Sequence, residues 1–181
     1  STMQEVKFRN IPYQNFKVNF NDVVTSATIG YKSSDTQNIR TGYQMRIWRP
    51  GIWYLNPYYD DSNPTQIRQG NADLESEKSH SFNLSYSSFT AKFNVNLSLS
   101  HAFNNNSIEQ VTTSLSEGVT YTTYENIGKS RSTSMSGYIN WNATPKTRIY
   151  MNADGRYRDM RNPDRDLRNT GWEGFAYIGF Q

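Results

Sequence analysis

The sequence predicts an all-β protein, an antiparallel meander of about eight long strands, and three observations support this fold class. Ser, Thr and Asn supply nearly a third of the 181 residues, and aromatic residues supply a further 14%. Leu and Ala, which build most helices, contribute only seven residues each. Several long segments alternate apolar and polar residues with a period of two. These features exclude a helical bundle and favour a sheet with two different faces.

The alternation places the strands along the chain. The most regular segment runs from Ala91 to Phe103, where the odd positions are mostly apolar and the even positions are mostly Asn and Ser. This alternation is much longer than the 5–6 residues of an ordinary globular strand. In chain order, the predicted strands are 4–9, 22–32, 37–48, 79–88, 91–115, 119–143, 146–160 and 169–181. We expect all neighbours to pair antiparallel, because no connection contains a crossover helix.

The predicted connections alternate in length. Short polar turns fall at 33–38, 87–90 and 142–146, whereas the connections at 50–78 and 160–169 are long. Long strands with one apolar face, joined by short turns at one end and long loops at the other, are typical of an outer-membrane β-barrel wall. A soluble β-sandwich also alternates, so a carbohydrate-binding or adhesion module is the alternative.

Charge and motifs exclude several function classes. The formal net charge of +3 is far from the footprint of a nucleic-acid-binding protein, so we expect no nucleic-acid partner. The chain has no Cys, and its two His residues, His80 and His101, lack the spacing of metal ligands. It contains no nucleophile elbow and no glycine-rich phosphate loop. We therefore predict no enzyme activity, and no catalytic, cofactor-binding or metal site.

A set of motifs from Arg49 onward carries a family resemblance. Arg49-Pro50 and Leu55-Asn56-Pro57 precede the phrase Gly70-Asn71-Ala72-Asp73-Leu74, which is followed by Glu75 and Glu77. Further landmarks are Ile108 and Asn126-Ile127-Gly128-Lys129. With these residues, the chain resembles the barrel of TonB-dependent outer-membrane receptors, especially the outer-membrane β-barrel family of receptor-like proteins, over residues 20–181.

The resemblance implies a place, a function and partners. It implies the outer membrane of a Gram-negative bacterium and a part in the uptake of a nutrient or a metal chelate. Receptors of this kind close about 22 strands around a plugged lumen. We therefore expect residues 1–181 to be a single barrel segment that lacks the plug domain and the remaining strands. Its implied partners are outer-membrane lipid, the rest of the barrel and its plug, and a periplasmic energy-coupling protein reached through segments that this chain does not contain.

Two groups of residues are candidates for ligand or loop contacts. The first is aromatic and could stack on a flat ligand or form the aromatic belt of a barrel: Trp48, Trp53, Tyr54, Tyr58 and Tyr59. The second is basic and could bind the phosphates of lipopolysaccharide or another anionic ligand: Arg156, Arg158, Arg161 and Arg165. The alternative for these arginines is a hydrated loop neutralised by the Asp residues between them.

Overall fold

The main sheet of the protein has eight strands, of which seven form an antiparallel meander. The computed structural model describes residues 2–6, 16–116 and 118–181. The strands are β1 Thr2–Val6, β2 Phe16–Phe20, β3 Ser26–Ser34, β4 Gln37–Trp48, β5 Gln66–Arg68, β6 Glu77–Phe89, β7 Phe93–Ser116, β8 Val119–Thr144, β9 Thr147–Asn162 and β10 Leu167–Phe180. The meander follows the order β3-β4-β6-β7-β8-β9-β10. The predicted fold class is confirmed.

Helix is scarce, as the low Leu and Ala content predicts. The one-turn helix α1 spans Ile52–Leu55, and a 3₁₀ turn spans Pro163–Arg165. Among the described residues, no helix is long and apolar enough to cross a membrane.

Two details of the predicted meander are wrong. β1 pairs with β2, which the sequence did not predict, in a separate two-stranded sheet. The predicted strand 4–9 therefore lies outside the meander as far as it is described, and its residues 7–9 fall outside the described residues. The second difference is β5, which pairs parallel with residues 120–122 of β8. β5 belongs to the long connection after β4. At β5, this connection runs beside β8 in the same direction as β8.

The register gives the sheet one apolar and one polar face. Residues directly opposite each other in an antiparallel pair point to the same side. Leu97 of β7 lies opposite Tyr86 of β6 and Gly137 of β8, and Gly137 in turn lies opposite Ala153 of β9. We call this side the apolar face. The polar face carries the alternate residues, such as the row Ser85, Ser98 and Ser136.

Aromatic side chains border the apolar face at both ends. At the end with the long connections, the loop end, the aromatic row contains Tyr43, Phe82, Phe103, Tyr157 and Trp172. At the end with the tight turns, the turn end, the row contains Tyr31, Tyr86, Phe93, Trp141 and Phe180. Ten residues separate Phe93 from Phe103, which is about 33 Å along an extended strand. At a tilt of about 40° this length spans about 25 Å, the height of the apolar band of an outer-membrane barrel.

The buried core lies at the loop end, outside the sheet itself. Phe20, Leu55 and Leu74 are buried, and Ile108 and Tyr124 of the long β7–β8 hairpin pack against them. We call residues 49–76, together with the part of the hairpin at 105–128 that they contact, the loop layer. The sheet positions this layer because β7 and β8 extend well beyond β6 and β9.

Candidate functional site

The motif residues that carried the family resemblance build the loop layer. Gly70 has no room for a side chain, since a Cβ atom there would meet the backbone of Asn56 and Tyr54 at less than 3 Å. The backbone N–H of Gly70 donates to the carbonyl of Asn56 at 2.8 Å. Asn71 donates from its side-chain amide to the carbonyl of Tyr124 at 2.9 Å. The Gly-Asn pair therefore joins α1 to the β7–β8 hairpin.

The end of the same phrase fixes the hairpin to β6. Glu77 accepts a hydrogen bond from the backbone N–H of Ile108 at 2.7 Å and another from Asn104 at 3.1 Å. Asn126 bridges the backbone of Glu75 and Asn106 through its side-chain amide. These bonds hold the irregular stretch of β7 around 104–108, where the register with β8 shifts.

The start of the connection is fixed by a buried carboxylate. Arg49 donates from Nε to Asp22 Oδ2 at 3.1 Å, and Ser76 donates to the same oxygen at 3.0 Å. Pro50, the neighbour of Arg49, is fully buried. Asp22 thus ties the connection before β3 to both ends of the loop layer.

An open cavity of about 340 Å³ lies on the loop layer. Its wall combines aromatic rings with hydrogen-bonding side chains: Trp53, Asn56, Tyr58, Asp60, Arg68, Gln69, Gln110, Thr122 and Tyr124, together with Gly70. Hydrogen bonds from Ser62 lower the pKa of Asp60, and the positive charge of Arg68 acts in the same direction. The cavity therefore offers an ionised carboxylate and a guanidinium beside exposed rings.

Two of the five aromatic candidates pack on other rings, and four of the five are exposed, including Trp48 at 47%. Trp48 lies opposite Glu77 on the polar face, and its ring meets that of Tyr54 edge-on with centroids 5.6 Å apart. Tyr54 in turn packs on Tyr124 at 4.7 Å. Trp53 is 82% exposed, and Tyr58 and Tyr59 are also exposed. Trp53 and Tyr58 line the cavity.

The belt interpretation does not fit Trp48. The aromatic belt lies on the apolar face, and Trp48 lies on the polar face. On β4 and β6, the rings that border the apolar face are those of the loop-end row, Tyr43 and Phe82.

The four arginine candidates do not form one site. Arg156 and Arg158 point to the polar face, where both contact Glu173, at 3.3 and 3.1 Å. Arg161 points to the apolar face and pairs with Asp159. Arg165 lies in the 3₁₀ turn and donates to the carbonyl of Thr112 at 3.1 Å. Among the described residues, only on the apolar face does an Asp of the segment, Asp159, neutralise its arginines, because the partner of Arg156 and Arg158 on the polar face is Glu173 of β10.

Sequence reasoning missed most of the cavity wall. Gln69, Gln110 and Thr122 come from three separate segments, and no local pattern distinguishes them from other polar residues. The available signal was the Gly70-Asn71 phrase, which marks where the connection folds back onto the hairpin. Among the described residues, no group of three or more His, Asp and Glu side chains could hold a metal ion.

Comparison with known proteins agrees with this architecture. The model of a family described as "Outer membrane protein beta-barrel family" matches residues 2–180. In fold, the chain is similar to the siderophore receptor PirA from Pseudomonas aeruginosa, with a TM-score of 0.61, 13% identity, and coverage of 92% of this chain and 37% of that one. It is also similar to PirA from Acinetobacter baumannii, with a TM-score of 0.51, 13% identity, and coverage of 86% and 33%. No curated protein matches the sequence.

The chain spans between 33% and 37% of the length of the two receptors. At 13% identity, the likeness shows a shared fold and not a shared ligand.

Proposed function

Because the chain belongs to the outer membrane protein beta-barrel family, we propose that it forms part of the wall and mouth of a TonB-dependent receptor that takes up a ligand too large for passive porins. Membership places the chain in the outer membrane of a Gram-negative bacterium. The family is one of membrane barrels and not of enzymes. Membership in this family also excludes the soluble β-sandwich, the alternative that the alternation of apolar and polar residues left open.

The cavity of the loop layer is the observation that carries this proposal. It lies at the loop end, which faces the outside of the cell in barrels of this kind. Its exposed rings can stack on flat groups, and Asp60, Arg68 and Gln69 can hydrogen-bond to hydroxyl or carboxylate groups at their edges. A ligand with hydroxylated rings, such as a metal chelate or a sugar-based nutrient, matches this combination. The solved receptors of similar fold are siderophore receptors, which favours the chelate.

The polar face supports a place for a plug domain. Its central rows carry small side chains, such as Ser85, Ser98 and Ser136. Small hydroxyl groups leave space inside a barrel and can hydrogen-bond to a folded domain there. We treat residues 1–181 as one barrel segment, and the plug, the other strands and a periplasmic energy-coupling protein as its partners in the whole receptor.

Trp53 provides the test of this proposal. In the whole purified receptor, binding of a ferric catecholate, a ferric hydroxamate and a maltohexaose is measured by calorimetry. We expect one of these classes to bind, and Trp53→Ala to weaken that binding by at least about fivefold, since exposed aromatic anchors often contribute more than 1 kcal/mol.

Trp172 is the matched control for this experiment. Its side chain is as exposed as that of Trp53, at 80% against 82%, but it lies on the apolar face away from the cavity. Trp172→Ala is expected to leave ligand affinity unchanged. Equal affinities for Trp53→Ala and the wild type, or equal losses for both variants, would contradict a role for the cavity.

A further inference from the structure

Four basic side chains lie on the apolar face, at the outer border of its loop-end aromatic row or just beyond it. Arg131 of β8 lies opposite Asp159 of β9, and Lys129 lies opposite Arg161, which in turn lies opposite Arg168 of β10. One step toward the turn end, the same three strands carry Thr133 and two members of the aromatic row, Tyr157 and Trp172. We call Lys129, Arg131, Arg161 and Arg168 the outer cation cluster. Its side of the sheet is the one that faces lipid in an outer-membrane barrel.

Asp159 organises two members of the cluster. Arg161 donates from Nε and Nη2 to the Asp159 carboxylate at 2.6–3.1 Å, and Arg168 donates to both of its oxygens at 3.1 Å. The Asp159 side chain is only 6% exposed, whereas those of Arg161 and Arg168 are 42% and 55% exposed. The buried carboxylate therefore fixes the two guanidinium groups and leaves their Nη1 groups directed away from it.

The cluster retains positive charge after this pairing. Lys129 and Arg131 are exposed, and neither makes an ion pair with any described residue. The cluster lines an open cavity of about 320 Å³ that also contains Asp159 and Asp166. Four positive and two negative charges leave an excess of two positive charges beside the membrane boundary. The excess comes from Lys129 and Arg131 of β8, since the two arginines that β9 and β10 contribute are matched by Asp159 and Asp166.

An apolar groove of about 580 Å³ lies on the same face, closer to the middle of the sheet. Gly137, Ala153 and Gly155 form its floor, and longer side chains such as Leu97 and Met135 form its walls. Gly155 is four residues from Asp159 on β9, which is about 13 Å along the strand. The cations and the groove therefore lie one above the other on β8 and β9.

We propose that β8–β10 form a binding site for a phosphate-bearing, acylated lipid of the outer leaflet, with a headgroup phosphate on the outer cation cluster and an acyl chain in the groove. Arginine pairs that are fixed in position bind phosphate through two parallel hydrogen bonds. Basic residues at a membrane surface attract anionic lipid strongly when they lie at headgroup level. The two features match one amphiphilic molecule because the aromatic row, which marks the membrane boundary, runs between them.

The experiment compares lipids that differ in phosphate content. The whole receptor is purified, stripped of bound lipid and titrated with lipid A carrying two phosphates, with the same lipid after removal of both phosphates, and with inorganic phosphate alone. Bound lipid is measured by native mass spectrometry. We expect the phosphorylated lipid to bind best, and K129Q/R131Q to weaken its binding by about 10- to 30-fold, since each basic residue near the surface contributes about 1 kcal/mol.

Two further variants separate the parts of the site. R40Q/R46Q removes the same charge from the polar face of β4 and is the matched control, for which we expect unchanged lipid binding. Gly155→Leu fills the groove at a position where a Cβ atom has open space. It should weaken the binding of both lipids and leave that of inorganic phosphate unaffected. All variants must keep the wild-type circular dichroism spectrum.

Several results would overturn the proposal. If K129Q/R131Q binds the phosphorylated lipid as well as the wild type does, the cluster is a hydrated surface without a lipid. If inorganic phosphate binds as tightly as the lipid, the site takes a free anion. If the polar-face control loses as much affinity as K129Q/R131Q, the attraction depends on overall charge and the assigned site is wrong.

Discussion

The sheet of this protein leaves apolar side chains exposed, whereas the loop layer buries them. Leu97 and Met135, in the middle of the sheet, are 44% and 67% exposed. Leu55 and Leu74, in the loop layer, are 0% and 3% exposed. All four are ordinary apolar residues, so composition alone does not separate them. The difference lies in the solvent that each region meets in the outer membrane.

The sheet needs no apolar core of its own. In a lipid bilayer, the tails are as apolar as a Leu side chain, so an exposed Leu loses nothing there. What must be satisfied is the backbone, and the continuous pairing of β3 to β10 provides those hydrogen bonds. The loop layer faces water, and it therefore needs buried side chains and side-chain hydrogen bonds to hold a shape.

Side-chain hydrogen bonds follow the same division. In the loop layer, Asn71 and Asn126 bond to backbone groups of a distant segment, and Glu77 at its border with β6 does the same. On the polar face of the sheet, the bonds of Arg156 and Arg158 to Glu173 join neighbouring strands that the ladder already holds. Side chains thus determine the shape of the loop layer, whereas backbone pairing determines the shape of the sheet.

Leu55→Ala should separate the two regions most clearly. The residue is fully buried in the small core, so its truncation is expected to cost about 2–5 kcal/mol of local stability. Hydrogen exchange of the whole barrel protein should show faster exchange at residues 49–76 and unchanged exchange in β9. Leu97→Ala is the matched control and should leave both regions unaffected. Equal effects of the two truncations on residues 49–76 would mean that the loop layer has no core of its own.

A charge in the sheet tests the face assignment directly. Leu97 lies on the apolar face, between the two aromatic rows, and Asn96 lies next to it on the polar face. Leu97→Arg should cost about 2–4 kcal/mol in the folded barrel, because the guanidinium would meet lipid near the bilayer midplane. Asn96→Arg should be mild because water reaches the polar face. Urea unfolding in lipid vesicles measures both, and equal costs would contradict the assignment.

Sequence reasoning predicted the sheet well because its signal is local. The alternation of apolar and polar residues from Phe93 to Phe103 indicates directly which residues lie on each face of the sheet. The observed ends of β4, β6 and β9 lie within three residues of their predicted bounds. The sequence also predicted the extra length of β7 and β8. The predicted bounds are 91–115 and 119–143, and the observed bounds are Phe93–Ser116 and Val119–Thr144. A period-two pattern can be recognised from neighbouring residues alone, without knowledge of distant contacts.

The loop layer could not be predicted in the same way because its contacts are not local. The partner of Asn71 is 53 residues away, at Tyr124. β5 has only three residues, and no pattern in so short a sequence indicates that it pairs parallel with β8. The arginine segment shows a further limit, since Arg161 falls in the predicted connection 160–169 and only the observed extension of β9 to Asn162 places it on the face opposite to Arg156. Family motifs identified the Gly70 phrase, but its packing became apparent only in three dimensions.

Gly70→Ala tests how tightly the loop layer is packed. A Cβ atom at Gly70 would clash with the carbonyl oxygen of Asn56, and backbone cannot move aside easily. Overpacking of this kind typically costs about 1–3 kcal/mol. Gly155→Ala in the sheet is the control, since a Cβ atom there meets nothing within 4 Å. Hydrogen exchange at residues 49–76 should rise for the first variant and stay unchanged for the second; no difference between them would show that α1 can shift away from residue 70.

Glu173→Gln should have the smallest effect, and it tests the claim that side chains matter little to the shape of the sheet. Glu173 contacts Arg156 and Arg158, but all three side chains are between 42% and 57% exposed. Exposed pairs of this kind contribute below about 1 kcal/mol, and salt weakens them further. We therefore expect nearly wild-type unfolding in urea, with the remaining difference disappearing at 1 M salt. A loss comparable to that of Leu97→Arg would mean that this ion-pair group, and not backbone pairing alone, holds β9 to β10.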